Sequence, residues 1–243
     1  MRIAILSDIH SNWEALKAVW YDLNKLKMDL VYCLGDVIGY GPQPRACWQA
    51  AGVMSKVIIR GNHEEAIVDP IFAADYFNHR ALAGIQFAAQ QLTDKQKQAI
   101  GKLPLHLILS ELDITLAHGA FSKPWEYIDS PDRAKEELLH IPTRLCFVGH
   151  THIPFVFASQ DGLIKDIEDD MVLSAEQKFL INVGSVGQPR DGDCRACYGI
   201  LEIRDGQYYF DLRRVFYDIQ KTADAIRAED LPVWLAERLF LGE

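Results

Sequence analysis

The stretch Leu145-Cys146-Phe147-Val148-Gly149-His150-Thr151-His152 decides how this chain is read. Its four apolar residues predict a buried strand. Gly149 ends the run, and two histidines follow with one residue between them. Extended backbone would throw those rings to opposite faces; a turn after Gly149 would aim both at one place. Alone, a His-x-His is a weak metal signal. Here the same design recurs upstream. An apolar run over residues 2–7 ends in Asp8-Ile9-His10, and Leu30 to Leu34 ends in Gly35-Asp36. Val57 to Ile59 ends in Arg60-Gly61-Asn62-His63-Glu64, and Asp113 to Ala117 ends in His118-Gly119. Five of the eight histidines stand in these places, which unrelated polar loops would not produce. The glycines beside them let the backbone turn sharply.

Working outward, Ser11-Asn12 offers an N-cap to a helix bearing Trp13, Leu16, Val19, Trp20 and Leu23 at helical spacing. A short helix spans Arg45 to Ala51. This β-α-β-α-β opening predicts an α/β fold with a parallel or mixed sheet, in which functional groups gather at the carboxyl ends of the strands. Residues 66–103 carry a helical pattern, read as one or two helices inserted beside the site. Phe72, Phe77, Leu82, Ile85, Phe87 and Leu92 face the core there, and Thr93 or Asp94 caps the second helix. Leu105 to Leu109 and Asp113 to Ala117 form a hairpin. Phe121, Trp125 and Tyr127 follow, as a substrate wall or as packing. Pro131 to His140 reads as a helix with Glu136-Glu137 on a solvated face.

Beyond His152 the pattern turns to β, over Pro154 to Ala158, Leu163 to Ile167, Phe179 to Val183, Ala196 to Ile203 and Gln207 to Val215. Asp161-Gly162 and Asp205-Gly206 are hairpin-turn signals. Asp218 to Ala228 and Pro232 to Phe240 are amphipathic helices. With no linker or repeat, residues 1–243 are expected to form a single domain. The expected architecture is a four-layer αββα sandwich, two mixed β-sheets flanked by helices, with the later strands making the second sheet.

Composition narrows the function. The chain carries 34 acidic and 25 basic side chains, a net charge of −9, which disfavours broad binding to nucleic acid or an anionic membrane. A phosphate substrate stays compatible if a metal supplies local positive charge. No apolar run reaches the ~18 residues of a membrane span, and the N-terminal apolar stretch is too short for a signal peptide. Cys33 and Cys146 lie in predicted strands and read as small buried hydrophobes. Cys194-x-x-Cys197 has no second pair with which to make a zinc site. A reducing cytoplasm is the expected location. His79 and His106 have no ligand-type neighbours and read as structural or solvated.

Imidazole and carboxylate without thiolate suit Zn, Mn, Fe or Ni, whereas Mg and Ca prefer oxygen cages. The candidates Asp8, His10, Asp36, Asn62, His118, His150 and His152 are too many for one four-coordinate ion. They suit two divalent ions sharing one carboxylate, a pair able to clamp an in-line phosphoryl displacement and to make hydroxide at neutral pH. No protein nucleophile is then needed, and no Gly-x-Ser-x-Gly pattern competes.

The order Asp-x-His, Gly-Asp, Gly-Asn-His, His, Gly-His-x-His resembles the calcineurin-like metallophosphoesterase superfamily. The segment Asn182-Val183-Gly184-Ser185-Val186-Gly187-Gln188-Pro189-Arg190 resembles its bacterial YfcE-like phosphodiesterase branch. The resemblance implies that Asp8, His10 and His152 bind one ion, that Asn62, His118 and His150 bind the other, and that Asp36 bridges. Asp8 holding His10 from behind is the alternative. It also implies that His63 is no ligand but works with Asn62 and Asp36 in catalysis, touching the phosphate or the leaving oxygen, and that a metal-bridging hydroxide attacks.

One departure matters. The serine/threonine phosphatase branch carries Gly-Asp-x-Val-Asp-Arg-Gly, whose arginine helps clamp the phosphate. Here Tyr40 replaces that arginine and Gly39 the aspartate. A dianionic monoester loses a bidentate partner by that change, a diester less, which favours a phosphodiesterase. Arg190 could replace the clamp if its loop folds back, or be merely structural; Tyr40 could stack on an aryl group or base. The expected partner is a small-molecule or nucleotide phosphoester, with oligomeric state open. The rival readings are a phosphomonoesterase on the same site and a non-catalytic scaffold of the same fold.

Overall fold

The computed structural model describes residues 1–164, 167 and 169–243. The chain opens with β1 (Arg2–Leu6), α1 (Trp13–Leu26), β2 (Leu30–Cys33), α2 (Pro44–Met54) and β3 (Val57–Ile58). Four helices follow: α3 (Asn62–Val68), α4 (Pro70–Tyr76), α5 (His79–Gln91) and α6 (Asp94–Ile100). Then come β4 (His106–Leu109), β5 (Ile114–Ala117), α7 (Pro131–Glu137) and β6 (Leu145–Val148). The remainder is β7 (Phe155–Ala158), β8 (Gly162–Ile164), β9 (Met171–Leu173), β10 (Phe179–Asn182), β11 (Ala196–Arg204), β12 (Gln207–Val215), α8 (Ile219–Ala228) and α9 (Trp234–Leu241).

These strands make two mixed six-stranded sheets, ordered β3-β2-β1-β11-β12-β9 and β4-β5-β6-β10-β7-β8. The expected partition is corrected here: the later strands do not form a sheet of their own. β11 lies antiparallel beside β1, with Ile5 opposite Gly199, and β10 lies parallel to β6, with Phe179 opposite Leu145. Each sheet therefore closes only when residues about 35 to 200 positions apart have met, a pairing that periodicity does not encode.

Why the strands sit where they do follows from burial on both faces. β5, β6, β10 and, past Arg2, β1 are buried runs of mostly apolar residues, the pattern of strands covered on both sides. Ile5, Leu34, Phe147, Phe179 and Phe210 fill the space between the sheets. Burying each such side chain contributes about 1.5–3 kcal/mol. Leu16, Val19 and Leu23 of α1 cover the outer face of the first sheet, in one cluster with Ala88 of α5 and Leu92 just after it. Ala134 and Leu138, in and just after α7, cover the second sheet over Cys146 and Leu180. The layers are thus α, β, β, α. Asn12 caps α1, its Oδ1 accepting from Ala15 N at 3.2 Å.

Other expectations need adjustment. The 66–103 stretch holds parts of four short helices rather than one or two, and α3 begins at Asn62. Ile85 and Leu92 are buried, whereas Phe72, Phe77, Leu82 and Phe87 are only half-buried. Thr93 caps α6, its Oγ1 accepting from Gln96 N. Glu137 is buried, not solvated: it accepts from Ser122 N at 2.8 Å and Ser122 Oγ at 2.7 Å, tying α7 to the loop after β5. β9 was not foreseen. Of the expected Leu163 to Ile167 strand, β8 covers Gly162–Ile164, and residues 165 and 166 lie outside the described residues. No helix among the described residues is long and apolar enough to cross a membrane.

Candidate metal centre

The carboxyl ends of β1, β2 and β3 in one sheet and of β5 and β6 in the other converge on one buried point. Asp8, His10, Asp36, Asn62, His63, His118, His150 and His152 are each no more than 3% exposed. Local backbone explains how neighbours two apart point together. Asp8, His10, Asp36, His150 and His152 all have positive φ, between 48° and 67°. For non-glycine residues this left-handed geometry is strained, and such residues collect at functional sites. It curls each strand end so that Asp8 and His10, and likewise His150 and His152, reach the same side. Gly149 is required: a Cβ there would lie 1.9 Å from Ser7 Oγ and 2.4 Å from Asp8 Oδ2.

The two carboxylates are fastened on one oxygen and open on the other. Asp8 Oδ2 accepts from His150 N at 2.9 Å, and Asp36 Oδ1 accepts from His63 N at 2.9 Å. Asp8 Oδ1 is buried with no hydrogen-bond partner. Asp36 Oδ2 lies 3.3 Å from His118 Nε2, 3.7 Å from His10 Nε2 and 3.9 Å from His63 Nε2. Asp8 Oδ1 lies 3.3 Å from His152 Nε2 and 3.7 Å from His10 Nε2.

Main-chain carbonyls hold the outer nitrogens of four rings. His10 Nδ1 meets Ile38 O at 3.2 Å, His118 Nδ1 meets Leu34 O at 2.9 Å, His152 Nδ1 meets Gln188 O at 2.5 Å, and His150 Nε2 meets Trp125 O at 3.1 Å. A carbonyl only accepts, so each outer nitrogen carries the hydrogen and each inner nitrogen presents a lone pair. Those lone pairs confront one another. His10 Nε2 and His152 Nε2 are 3.0 Å apart, and His118 Nε2 faces Asn62 Oδ1 at 3.0 Å and His150 Nδ1 at 3.1 Å. Acceptors packed against acceptors, out of water, call for a cation among them. Three carboxylate–imidazole groups could hold one: Asp8–His10–His152, His10–Asp36–His63 and Asp36–His118–His150. The residues present therefore fit divalent metal.

Charge settles accordingly. Burial alone would raise Asp8, but His152 and His10 hold it well below the carboxylate range. Asp36 is likewise lowered against its burial, chiefly by His118 and His63. Burial pulls His150 down to about 4 and His152 to about 3. His118 opposes its own burial, since Asp36 and Asp8 lift it to about 9.

His63 differs from the other four rings. Its Nδ1 is buried without a partner, so no carbonyl fixes its tautomer. The ring lies between Tyr40 and Phe77, at centroid distances of 4.5 and 4.9 Å. Burial pushes it well below the usual imidazole range.

Above the cluster opens a cleft of about 440 Å³, reached by Asp36, Asn62, His63, His150 and His152. Tyr40, Tyr76, Phe77, Trp125, Tyr127 and Arg190 wall it. Tyr127 stacks on His150, centroids 4.1 Å apart and planes at 11°. Tyr76 OH donates to Trp125 O at 2.7 Å, bringing α4 of the 66–103 stretch over the site. The loop bearing Arg190 does fold back: Arg190 N donates to His152 O at 3.2 Å, and its Nη2 to Gln188 Oε1 at 2.9 Å. Phe121 packs on His106 instead of lining the cleft. No group able to hold metal among the described residues contains Cys194 or Cys197, and Cys197 is a buried thiol pushed up to about 12.

Sequence reasoning overlooked Glu64. Its carboxylate accepts from Asp36 N at 2.7 Å, Val37 N at 2.9 Å and Gly61 N at 3.0 Å, binding the Asp36 turn to the start of α3. An acid three residues after Gly61, at a helix start, is the signal that could have shown it. Phe77, read as core, faces the cleft.

A two-sheet sandwich with carboxylates and imidazoles buried at its strand ends defines a metal-binding α/β protein. The chain belongs to the calcineurin-like phosphoesterase superfamily, whose sequence profile matches residues 1–206. An uncharacterised protein of Methanocaldococcus jannaschii is 37% identical over 246 residues, covering 99% of this chain and 98% of that protein. Among solved structures, a metallophosphoesterase from Sphaerobacter thermophilus matches with a TM-score of 0.86 and 35% identity, covering 100% of both chains. A hypothetical protein from Pyrococcus horikoshii shares the fold at a TM-score of 0.80 and 19% identity, covering 100% of this chain and 98% of that one.

Proposed function

We propose that this phosphoesterase holds two divalent transition-metal ions and hydrolyses phosphodiesters of small molecules or nucleotides. The observation that carries the reading is Asp36 Oδ2, an open carboxylate oxygen facing His10 on one side and His118 on the other. In this reading Asp8, His10 and His152 hold one ion, Asn62, His118 and His150 the other, and Asp36 both. Ions so held would polarise phosphoryl oxygens and lower the pKa of water. Manganese, iron, zinc and nickel all suit the donors.

The chain's own residues do the rest. His63, unfixed in tautomer and open to the cleft, is placed to give a proton to the leaving oxygen or to stabilise its charge. Arg190 offers a guanidinium to a non-bridging phosphoryl oxygen. Tyr40 and Tyr127 present ring faces to an aryl or nucleobase group. Trp125 and Tyr76 narrow the cleft. Free cysteines throughout support a reducing, cytoplasmic setting.

Turnover of bis(4-nitrophenyl) phosphate against 4-nitrophenyl phosphate by protein of measured metal content tests the proposal. We expect the diester to be preferred. Preference for the monoester by about 100-fold or more, ~2.7 kcal/mol in the transition state, would favour a monoesterase, with Arg190 taking the missing clamp's place. Inactivity toward both esters with manganese, nickel, cobalt and zinc in loaded protein would sink the hydrolytic reading.

A further inference from the structure

Four main-chain carbonyls meet the outer nitrogens of the buried rings, and three of them lie in well-fastened turns. Leu34 N donates to Leu6 O at 2.8 Å, Gln188 N donates to Ser185 Oγ at 2.8 Å, and beside Ile38 the Val37 N donates to the Glu64 carboxylate at 2.9 Å. The fourth carbonyl is placed differently. Trp125 O, which meets His150 Nε2 at 3.1 Å, belongs to the loop after β5. Ser122, Lys123 and Pro124 just before it are exposed. Trp125 itself has φ of +75°, a left-handed backbone that a bulky side chain adopts only at a cost. A strained residue in an exposed loop needs an outside hold if its carbonyl is to stay aimed at one ring.

That hold comes from α4. Tyr76, the last residue of α4, donates its hydroxyl hydrogen to Trp125 O at 2.7 Å. Its oxygen also lies 3.3 Å from His150 Nε2. A carbonyl oxygen has two lone pairs, so Trp125 O accepts from Tyr76 and from His150 together. The Tyr76 ring is set by Phe72, one helical turn earlier. The two stack at 4.9 Å with planes at 22°, and Phe72 reaches the Trp125 ring at 6.2 Å. A phenylalanine would pack there as well as a tyrosine, so packing gives no reason for the hydroxyl. Nor does the stacking of Tyr127 on His150 choose which ring nitrogen carries the hydrogen. A hydrogen bond at Nε2 makes that choice and leaves Nδ1 bare on the side of His118.

We propose that Tyr76 is a positioning residue for the candidate metal centre: its hydroxyl, through Trp125 O, holds His150 in the tautomer that presents Nδ1 to an ion. This rests on the reading of His150 as a metal ligand. The 66–103 stretch then does more than wall the cleft, because one of its side chains keeps a donor in place. Partners that orient a ligand in this way are worth about 10–100-fold in metal affinity, and Tyr76, acting mainly through a carbonyl, belongs at the low end.

The test titrates manganese into metal-stripped protein by calorimetry. Wild type should take up two ions, and Tyr76→Phe should bind one of them about tenfold more weakly and the other unchanged. Saturating manganese should return kcat of Tyr76→Phe on bis(4-nitrophenyl) phosphate to near the wild-type value. In a His150→Ala background, Tyr76→Phe should weaken manganese binding no further. Equal affinities in wild type and Tyr76→Phe, a kcat that stays low at saturating manganese, or the same loss in both backgrounds would each overturn the role. If wild type binds no ion, the metal reading has failed, and nitrogen-15 NMR of stripped, histidine-labelled protein at pH 7.5 still decides. His150 Nε2–H should give a sharp resonance in wild type that exchange with water broadens away in Tyr76→Phe. The same resonance in both proteins, or none in wild type, refutes the proposal.

Discussion

Gly39→Ala should disable the centre without emptying it. Gly39 has φ of +88°, and a Cβ there would lie 2.0 Å from His63 Nδ1 and 2.8 Å from His63 Cε1. Ordinary contact begins near 3.4 Å, so the ring must retreat by more than 1 Å. Tyr40 and Phe77 flank it, leaving no rotation that keeps His63 Nε2 beside Asp36. A displacement of that size costs about 10²-fold in rate, and complete loss of an acid–base group about 10²–10⁴-fold. The left-handed backbone adds about 1–2 kcal/mol of instability for any L side chain. We expect kcat on bis(4-nitrophenyl) phosphate to fall by about 10²-fold or more, while metal content measured by mass spectrometry stays at the wild-type level. In a His63→Ala background the new methyl has room, so Gly39→Ala should cost little further rate. Retention of half the wild-type kcat, or equal further losses in both backgrounds, would refute the claim that Gly39 exists to seat His63.

Other consequences can be measured as directly. Asp36→Asn removes the charge faced by His10, His63 and His118 and should lower bound metal and abolish turnover; unchanged metal content would show that Asp36 is no ligand. Arg190→Lys keeps the charge but loses the fork, so kcat/KM on the aryl diester should drop about tenfold; a change under twofold would make the residue structural. Stripping metal should expose an acid instability. The folded-state pKa values of His150 and His152, about 4 and 3, lie below the 6.5 of an unfolded chain, so stability is full above 6.5 and is lost as pH falls toward them. Each unit of displacement is worth about 1.4 kcal/mol. The gap in denaturant midpoint between stripped protein and its His152→Gln variant isolates that ring from His118, whose raised pKa acts in the opposite direction; the gap should differ between pH 7.5 and pH 5, and a gap equal at both would contradict the burial of His152.

What could be read from sequence were the features written locally. An apolar run, a glycine and a ligand-type residue lie within eight positions, so each strand end was legible, and the residues at five such ends are those the structure gathers at one buried point. Asn12 and Thr93 were legible as caps for the same reason. What escaped depends on distant partners. Nothing near β11 says that it returns to β1, and nothing near Glu137 says that Ser122 awaits it. Phe77 looked like core because an aromatic in a helical pattern has the same spacing whether it faces a sheet or a cleft. Glu64 was passed over because its partners, Asp36 N and Val37 N, belong to another turn.

The proposed donors come from two different sheets, Asp8, His10, Asp36 and Asn62 from one, His118, His150 and His152 from the other. An ion lodged among them would therefore act as a rivet through both layers and resist their sliding. On the proposed assignment a half-synthesised chain could not hold it, since the residues concerned span 8 to 152 and the carbonyl that meets His152 belongs to Gln188. Metal capture would then be a late event, a mark that assembly of the interior has finished.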